Sequence, residues 1–223
     1  MAYNFRFGAL LPFTPDILDG VALTLAFSAA TMVFGLAIGL FAALATTSGV
    51  GAVRLGGRAY VEAIRNTPLL VQIFIVFFGL PVLGLRLSAN VAALVALSIN
   101  LGAYVSEILR AGFESIRRSQ VEAGRALGLT AGQTFRHVVL FQAVKNIYPA
   151  LASQFVLVLL ATSIVSSIGV PELFHTAAFI DSRTYRPFEA YALITVTYLV
   201  LTLALRAVFA GVYWLVFVRR PRA

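Results

Sequence analysis

Polar side chains follow one face of an apolar segment near the middle of the chain. Asn100, Tyr104 and Glu107 are spaced i, i+4 and i+7, which puts them on one stripe of a helix. Two further amides, Gln72 and Gln154, stand in other apolar segments. A cluster of hydroxyls follows the last of them, at Thr162, Ser163 and Ser166. Carboxylate, amide, phenol and hydroxyl groups together could contact both charged ends of a zwitterionic solute, so these residues predict a solute pathway.

The same side chains also have a structural interpretation. Ser and Thr on membrane helices often donate to their own backbone or join helices, and we favour that interpretation for the hydroxyl cluster. Asn100 and Gln154 suit bonds between helices as well as contact with a solute. Glu107 precedes Arg110 by three residues, and Glu62 precedes Arg65 by three. That spacing favours an ion pair within each helix.

The composition indicates a membrane protein with several spans. Of 223 residues, 60% are hydrophobic and 12% are charged. The chain has no cysteine and two isolated histidines, His137 and His175, so we expect no metal site. It also lacks a G-x-x-x-x-G-K-[ST] phosphate loop, so we expect no ATP hydrolysis and no cofactor in this chain. The formal net charge of +8 is better explained by membrane orientation than by a nucleic-acid partner.

Five apolar stretches are long enough to cross a hydrocarbon layer about 30 Å thick, which needs roughly 20 helical residues. They cover about residues 17–45, 61–80, 89–109, 145–167 and 190–218. We therefore predict an external N-terminal segment (1–16), one membrane domain (17–218) and a basic tail (219–223).

Lys and Arg residues predict the orientation. Twelve of the 17 lie in the links after spans one and three, in the adjoining parts of the next spans (Arg65 and Lys145) and in the C-terminal tail, and four lie on the opposite side. The positive-inside rule then places the N-terminus outside and the C-terminus in the cytoplasm. The remaining cation, Arg206, stands inside the fifth stretch, and we favour a side chain that reaches the lipid headgroups over a functional site. The external link 171–189 fits either a surface for an external partner or a solvated loop.

The polar stretch between spans three and four has its own start and stop signals. Ser119 and Glu122 have the spacing of a capping box, and Thr130 and Gln133 repeat it. Gly128, between the two, suits a left-handed helix stop. A simple connector would not need these signals, so they predict two short helices around Gly128 that form a docking surface.

These segments resemble a known family. Glu122-Ala123-Gly124, then Gly128, then Val138-Val-Leu140-Phe141 resemble the EAA-x3-G-x9-I-x-L-P signature of ABC importer permeases, with Gly124 in place of the second alanine and Phe141 in place of the closing proline. Residues 61–72 resemble the E-x-x-R-x-T-P-L-L-x-Q run of the polar amino-acid permeases. Residues 102–110 and 162–166 resemble their G-A-Y-x-x-E-x-x-R and T-S-L-x-S motifs.

The resemblance implies an all-α polytopic membrane protein, with five transmembrane helices of the type I (MetI-like) permease fold and a cytoplasmic coupling helix. It implies a permease subunit, in the bacterial inner membrane, of an importer for polar or charged amino acids of the histidine, glutamine or arginine type. The loop 119–141 would seat in a separate ATPase, which holds ATP and Mg. The residues expected to make that contact are Glu122, Ala123, Gly124, Arg125, Leu127 and Gly128.

The implied partners are a second permease subunit, two ATPase subunits, an external solute-binding protein, the amino-acid substrate and the bilayer. Family members often have K-D-T-S-L where this chain has Leu160-Ala161-Thr162-Ser163-Ile164. The missing Lys and Asp fit a heterodimer with a sister permease, and a homodimer stays open. The alternative from another class is an ion-coupled secondary transporter or channel without an ATPase, although no inverted repeat of broken helices is evident. A membrane scaffold that transports nothing is the third hypothesis.

Overall fold

A computed structural model describes residues 4–219, which contain helices and no strand. The last four residues of the predicted basic tail, 220–223, lie outside the described residues. The helical elements are α1 (Phe7–Thr46), α2 (Gly51–Arg65), α3 (Leu69–Leu83), α4 (Ala89–Glu114), α5 (Arg118–Ala126), α6 (Ala131–Ile168), α7 (Leu173–Thr184) and α8 (Pro187–Val218). The first seven residues of α1 are 3-10, and α6 ends in a 3-10 segment, Thr162–Ile168.

Helices α1 and α4 form the closest pair in the fold. Gly35 and Gly39 of α1 are both buried. A Cβ on Gly35 would lie 2.6 Å from the Leu101 side chain of α4, and a Cβ on Gly39 would collide with Val105. The G-x-x-x-G spacing therefore lets two backbones approach, because each glycine makes room for a branched side chain of the partner helix.

The second predicted span, 61–80, is not one continuous helix. α2 ends at Arg65 and α3 begins at Leu69, and the two are bent by 109°. Pro68 lies between them in an extended conformation, and because it has no N–H it cannot continue the hydrogen bonds of the first helix. α3 is only about 22 Å long at 1.5 Å per residue, which is shorter than the hydrocarbon layer. The described residues thus hold four helices of spanning length, or five if the bent pair counts as one.

The predicted signals around Gly128 are partly confirmed. Gly128 has a φ of +78°, its N–H donates to Arg125 O at 2.9 Å, and the next N–H donates to Gly124 O at 3.2 Å. This is a Schellman stop. The capping box of Thr130 and Gln133 is also present.

The capping box at Ser119 is wrong. α5 begins at Arg118 behind an extended Arg117, so Ser119 is the second residue of the helix and no side chain caps it. The N-cap lies two residues earlier than predicted, because the extended residue that precedes the helix is Arg117 and not Ser119. Glu122 consequently lies in the helix body, where it cannot reach back to a capping N–H.

The second short helix of the predicted docking unit is the beginning of α6. α6 runs without a break from Ala131 to Ile168, about 57 Å at 1.5 Å per residue, whereas the fourth span was expected to begin near 145. A π-helical turn, Phe135–Val139, lies near its start. The segment after Gly128 is therefore one end of a rod long enough to cross the membrane.

The link 171–189, which the sequence predicted to be external, is not a solvated loop. It contains α7, whose Leu173, Thr176, Ala177 and Ile180 are buried. Glu172 caps this helix by accepting from the backbone N–H groups of Phe174 and His175, both at 2.9 Å. The same carboxylate accepts from the Tyr198 hydroxyl of α8 at 2.6 Å, so it joins α7 to α8.

The last helix, α8, is the least covered part of the fold. Only Glu189, Ala190 and Ile194 of Pro187–Tyr213 are buried. Apolar side chains dominate its exposed surface, among them Val196, Leu199, Val200, Leu203 and Val208. In a membrane protein such a surface faces lipid or a further subunit.

Candidate functional site

The polar stripe of α4 faces the break between α2 and α3. The Asn100 amide donates to Gln72 Oε1 at 2.9 Å. The Gln72 amide in turn donates to Ile64 O at 2.7 Å and to the hydroxyl and carbonyl oxygens of Thr67 at 2.8 and 3.1 Å. Gln72 is only 8% exposed. Its side chain thus ties the broken span together and holds it against α4, and its amide and its oxygen already have partners within the chain.

Two adjoining cavities line this face. One, of about 410 Å³, lies between α3, α4 and α6, and its polar lining is Thr67, Asn100, Tyr104 and Gln154. The other, of about 460 Å³, lies on the side of Glu107. Tyr104 and Gln154 line both cavities, so together the two form one polar surface. We call the set Arg65, Asn100, Tyr104, Glu107 and Gln154 the pathway face.

Arg65, which was not predicted from the sequence to line the pathway, lies at the charged end of this face. Arg65 Nη1 is 3.3 Å from Glu107 Oε2, and its guanidinium stands 5.6 Å from the centre of the Tyr104 ring. The expected pair of Arg65 with Glu62 is wrong, since Glu62 Oε2 instead accepts from the Asn66 amide at 2.9 Å. The sequence feature that could have placed Arg65 on this face is its position just before Thr67-Pro68. The break between α2 and α3 begins there and directs Arg65 towards α4.

The predicted pair of Glu107 and Arg110 is confirmed, with Arg110 Nη2 at 2.9 Å from Glu107 Oε2. Arg110 also contacts Glu114 at 2.7 Å. Glu107 therefore receives two arginines, one from its own helix and one from α2. The two arginines keep this carboxylate charged and in place. Arg65 has one ion pair among the described residues, so some of its N–H donors are left for a ligand.

The hydroxyls at the end of α6 bond to their own helix. Thr162, Ser163 and Ser166 donate to the carbonyls three residues earlier, at 2.7, 2.8 and 2.7 Å. Thr162 is fully buried, and the lining of the 410 Å³ cavity reaches only as far as Ala161. The structure therefore brings Asn100, Tyr104, Glu107 and Gln154 together but leaves these three hydroxyls in the 3-10 turns beyond them.

The short helix α5 presents one surface outwards and one towards α6. Glu122, Ala123, Arg125, Leu127 and Gly128 are exposed, and the Leu127 side chain is 82% exposed. Gly124 is the buried residue of the helix. An apolar side chain this exposed beside charged neighbours is typical of a contact with another protein.

Close packing fixes α5 to the helices that carry the pathway face. A Cβ on Gly124 would lie 3.0 Å from Thr134 Cγ2 of α6, a tight contact that favours glycine where the motif usually has alanine. Above this contact Phe113 of α4 stacks on Phe135 of α6 with centroids 6.1 Å apart, and the Asn146 amide donates to the Ser115 hydroxyl at 3.0 Å. A displacement of α5 would consequently move the ends of α4 and α6.

The sequence profile of the family described as "Binding-protein-dependent transport system inner membrane component" matches residues 21–216. The chain belongs to this family. As a binding-protein-dependent inner membrane component it is a multi-pass membrane subunit of a transport system. The family works with ATPase and solute-binding partners, and the helical fold described above is its type I permease fold.

Several relatives carry more specific names. The chain is 36% identical over 204 residues to the glutamine transport system permease protein GlnP of Escherichia coli K12, covering 91% of this chain and 93% of that protein. It is 37% identical over 203 residues to the arginine transport system permease protein ArtQ of Bacillus subtilis, with the same coverage.

Solved structures agree. A chain of an amino acid ABC transporter crystallised with histidines is 38% identical, with a TM-score of 0.89 over 95% of this chain and 99% of that one. A chain of the inward-facing methionine transporter MetNI matches with a TM-score of 0.73 over 91% of this chain and 96% of that one. At 19% identity this second match shows the fold alone.

Proposed function

We propose that this chain is the permease subunit of an ABC importer for polar or charged amino acids. The observation that carries the proposal is the pathway face, which sets an arginine and a carboxylate beside neutral polar groups around two adjoining cavities. The carboxylate end of an amino acid needs a cation such as Arg65, and its ammonium end needs acceptor oxygens such as those of Asn100 and Gln154. The names of the relatives, which refer to glutamine and arginine, and the structure with histidines support the same substrate class.

On the pathway, Asn100, Tyr104 and Gln154 contact the solute, and Arg65 offers donors to its carboxylate. Glu107, held by two arginines, balances their charge and keeps Arg65 at the cavity. The hydroxyls of Thr162, Ser163 and Ser166 shape the turn that closes α6, since their bonds to the backbone leave them only acceptor capacity for a solute.

The exposed surface of α5 docks in a separate ATPase subunit that supplies ATP and Mg. The contact is made by Glu122, Ala123, Arg125, Leu127 and Gly128. Gly124 lies on the other side of α5, where it packs against α6. When ATP closes the two ATPases, α5 moves, and the rigid junction with α4 and α6 passes that motion to the cavities. Hydrolysis belongs to the partner, and this chain does no chemistry.

In the membrane the N-terminus lies outside, and α5 and the C-terminus lie in the cytoplasm. The distribution of Lys and Arg supports this orientation, since Arg118 and Arg125 lie in α5 and Arg117 and Arg136 lie before and after it. A second permease subunit completes the pathway, and the absence of Lys and Asp before Thr162 favours a sister chain over an identical copy. The external side, with α7, receives the solute-binding protein.

The test is uptake by the assembled importer in proteoliposomes. The chain is purified with its ATPase, the solute-binding protein is added, and entry of labelled glutamine, arginine and histidine is measured with and without enclosed ATP. We expect ATP-dependent uptake of at least one of them, loss of uptake with Glu122→Arg, and no loss with Arg86→Gln, a charge change on an exposed residue of the opposite side. Uptake that persists with an ATPase unable to hydrolyse ATP would overturn the proposal and favour an ion-coupled transporter.

A further inference from the structure

Charged side chains line a further cavity, which lies between α1, α2 and α4. Its volume is about 650 Å³, within the roughly 300–1,000 Å³ that is usual for small-molecule sites. The cavity is at the end of α4 that leads into α5, and it shares Glu107 with one cavity of the pathway face. Apart from Val61, its lining residues are all polar or charged: Thr46, Thr47, Arg54, Arg58, Glu62, Glu107, Arg110 and Glu114.

Two arginines of this cavity have hydrogen-bond donors left for a ligand. The Arg58 guanidinium has no hydrogen bond or ion pair to any residue within 4–219, so all its N–H groups are available. Arg54 lies one helical turn earlier on the same face of α2, and only its Nη1 has a bond there, to Ser48 O at 3.1 Å. Guanidinium groups bind carboxylates through paired N–H···O bonds, so these two arginines suit a ligand with a carboxylate.

Hydrogen-bond acceptors lie in the same lining. Glu62 accepts from the Asn66 amide through Oε2, and its Oε1 has no partner among the described residues. The hydroxyls of Thr46 and Thr47 both donate to Ala43 O, at 2.9 Å, which leaves their oxygens as acceptors. An ammonium group has three donors and no acceptor, and it therefore suits this part of the lining.

The balance of charge favours a zwitterion over an anion. Three arginines and three glutamates line the cavity, so their formal charges sum to zero. Arg110 already pairs with Glu107 and Glu114, at 2.9 and 2.7 Å, and the charges left for a ligand are two cations and one carboxylate on α2. A phosphate could meet the cations, but three carboxylates nearby would repel it. A free α-amino acid carries both signs and can satisfy both parts of the lining.

We propose that this cavity is a second amino-acid site, where solute on the side of α5 binds and slows further import. The ligand's carboxylate accepts from Arg54 and Arg58, and its ammonium group donates to Glu62 and to the two threonine hydroxyls. This inference rests on the proposed function, which supplies the class of solute and places α5 in the cytoplasm.

The site can control import because it lies between elements of the pathway. A ligand there contacts α1, α2 and α4 together, since all three helices supply lining residues. α2 carries Arg65 of the pathway face, and it is joined to α4 by the Tyr60 hydroxyl, which donates to Ile99 O at 2.6 Å. In the proposed cycle α5 moves α4. Because a ligand shifts the population towards the arrangement that it binds best, an occupied cavity resists that movement.

The first experiment measures inhibition of import from inside the vesicle. The assembled importer is reconstituted in proteoliposomes that enclose ATP and increasing unlabelled glutamine, arginine or histidine, whichever is imported, and initial uptake of the labelled compound is recorded. We expect enclosed amino acid to slow uptake. Arg58→Gln and Glu62→Gln should each raise the concentration for half-inhibition about tenfold, because each removes a charge-assisted bond to the ligand. Lys145→Gln removes an exposed cation outside this lining and should respond as the wild type does.

The second experiment measures binding without transport. The solubilised complex, with no binding protein present, is dialysed against the three labelled amino acids, and Asn100→Ala is introduced to weaken binding at the pathway face. We expect at least one amino acid to bind this variant, and its affinity to fall about tenfold when Arg58→Gln is added. The N-acetylated amino acid, which lacks the ammonium group, and inorganic phosphate should both compete poorly.

The outcomes separate this inference from the proposed function. Binding to the Asn100→Ala complex that Arg58→Gln does not weaken, or no binding at all, overturns the second site. Competition by phosphate as strong as by the amino acid also overturns it, in favour of a phosphate site. Import that enclosed amino acid does not slow overturns the inference and leaves the proposed function intact. Failure to import into vesicles without enclosed amino acid contradicts the proposed function, and the dialysis still decides whether the second site exists.

Discussion

At the scale of single residues, Gln72 shows how one amide can organise a break in a membrane helix. Its amide NH2 group donates to two carbonyl oxygens and one hydroxyl oxygen within residues 64–67, and its amide oxygen accepts from Asn100. An apolar residue there would leave backbone carbonyls of the break without partners where water is scarce. The side chain therefore sets where α3 starts and how Asn100 is aimed.

Replacing this amide tests that role. We expect Gln72→Leu to destabilise the chain by about 1–3 kcal/mol, the cost of buried polar groups that lose their partner. The measurement is the thermal midpoint in detergent together with substrate affinity. The matched control is Gln142→Leu, because within residues 4–219 the Gln142 amide donates only to Val138 O of its own helix. Equal shifts in the two variants would contradict a role for Gln72 in closing the break.

Glycine is favoured at positions 124 and 128 for two different reasons. Gly124 is confined by Thr134, whereas Gly128 has open space but a φ of +78°. We expect Gly128→Ala to cost about 1 kcal/mol, since a Cβ is disfavoured in the left-handed conformation, and to lower uptake by misplacing α5. Gly132→Ala, in the open first turn of α6, is the control and should be neutral or stabilising because alanine favours helix. Both stability and ATP-driven uptake are measured, and a neutral Gly128→Ala would contradict the role of this stop.

At the scale of elements, Glu172 holds together the end of the fold that contains α7. It is fully buried and accepts from two N–H groups of α7 and from Tyr198 of α8. We expect Glu172→Ala to cost about 2 kcal/mol or more, through the lost cap and an unpaired buried hydroxyl. Glu172→Gln keeps one of the two acceptor oxygens and should retain part of that stability. The thermal midpoints of the two variants in detergent decide, and equal losses would contradict the capping role.

Elements also show what the sequence could predict. Local sequence signals predicted correctly the features that depend on a few neighbouring residues. The helix stop at Gly128 and the capping box at Thr130 are both present. Hydropathy placed apolar helices near the observed ones. It could not show the 109° bend at Pro68, since a window of apolar residues has the same average whether or not the chain turns inside it.

The candidate site was predictable in part for the same reason. The stripe of Asn100, Tyr104 and Glu107 follows from helical periodicity alone, and it does line the cavities. The partner of Glu107 from another helix, Arg65, depends on how α2 packs after the break, which no local pattern fixes. Ser119 failed as a cap because many Ser-x-x-Glu sequences occur inside helices, and Arg117 began this one.

At the scale of the whole molecule, orientation decides whether the parts can work as proposed. Because the chain has no cysteine, single cysteines report their side of the membrane without background. We expect Leu85→Cys, at the loop after α3, to react with an impermeant maleimide in intact cells, and Leu127→Cys to react only after the inner membrane is opened. Both positions are well exposed, at 60% and 82%. The reverse pattern would contradict the proposed topology.

The central claim is that α5 seats on a separate ATPase and passes its motion to the pathway face. The most direct measurement is site-directed photo-crosslinking in the assembled importer, with a benzophenone maleimide on Leu127→Cys and, as control, on Leu85→Cys. We predict a product joining this chain to the ATPase from Leu127→Cys, and none from Leu85→Cys. An ATPase crosslink from the control alone, or no crosslink from Leu127→Cys in a complex that still imports its substrate, would contradict the claim.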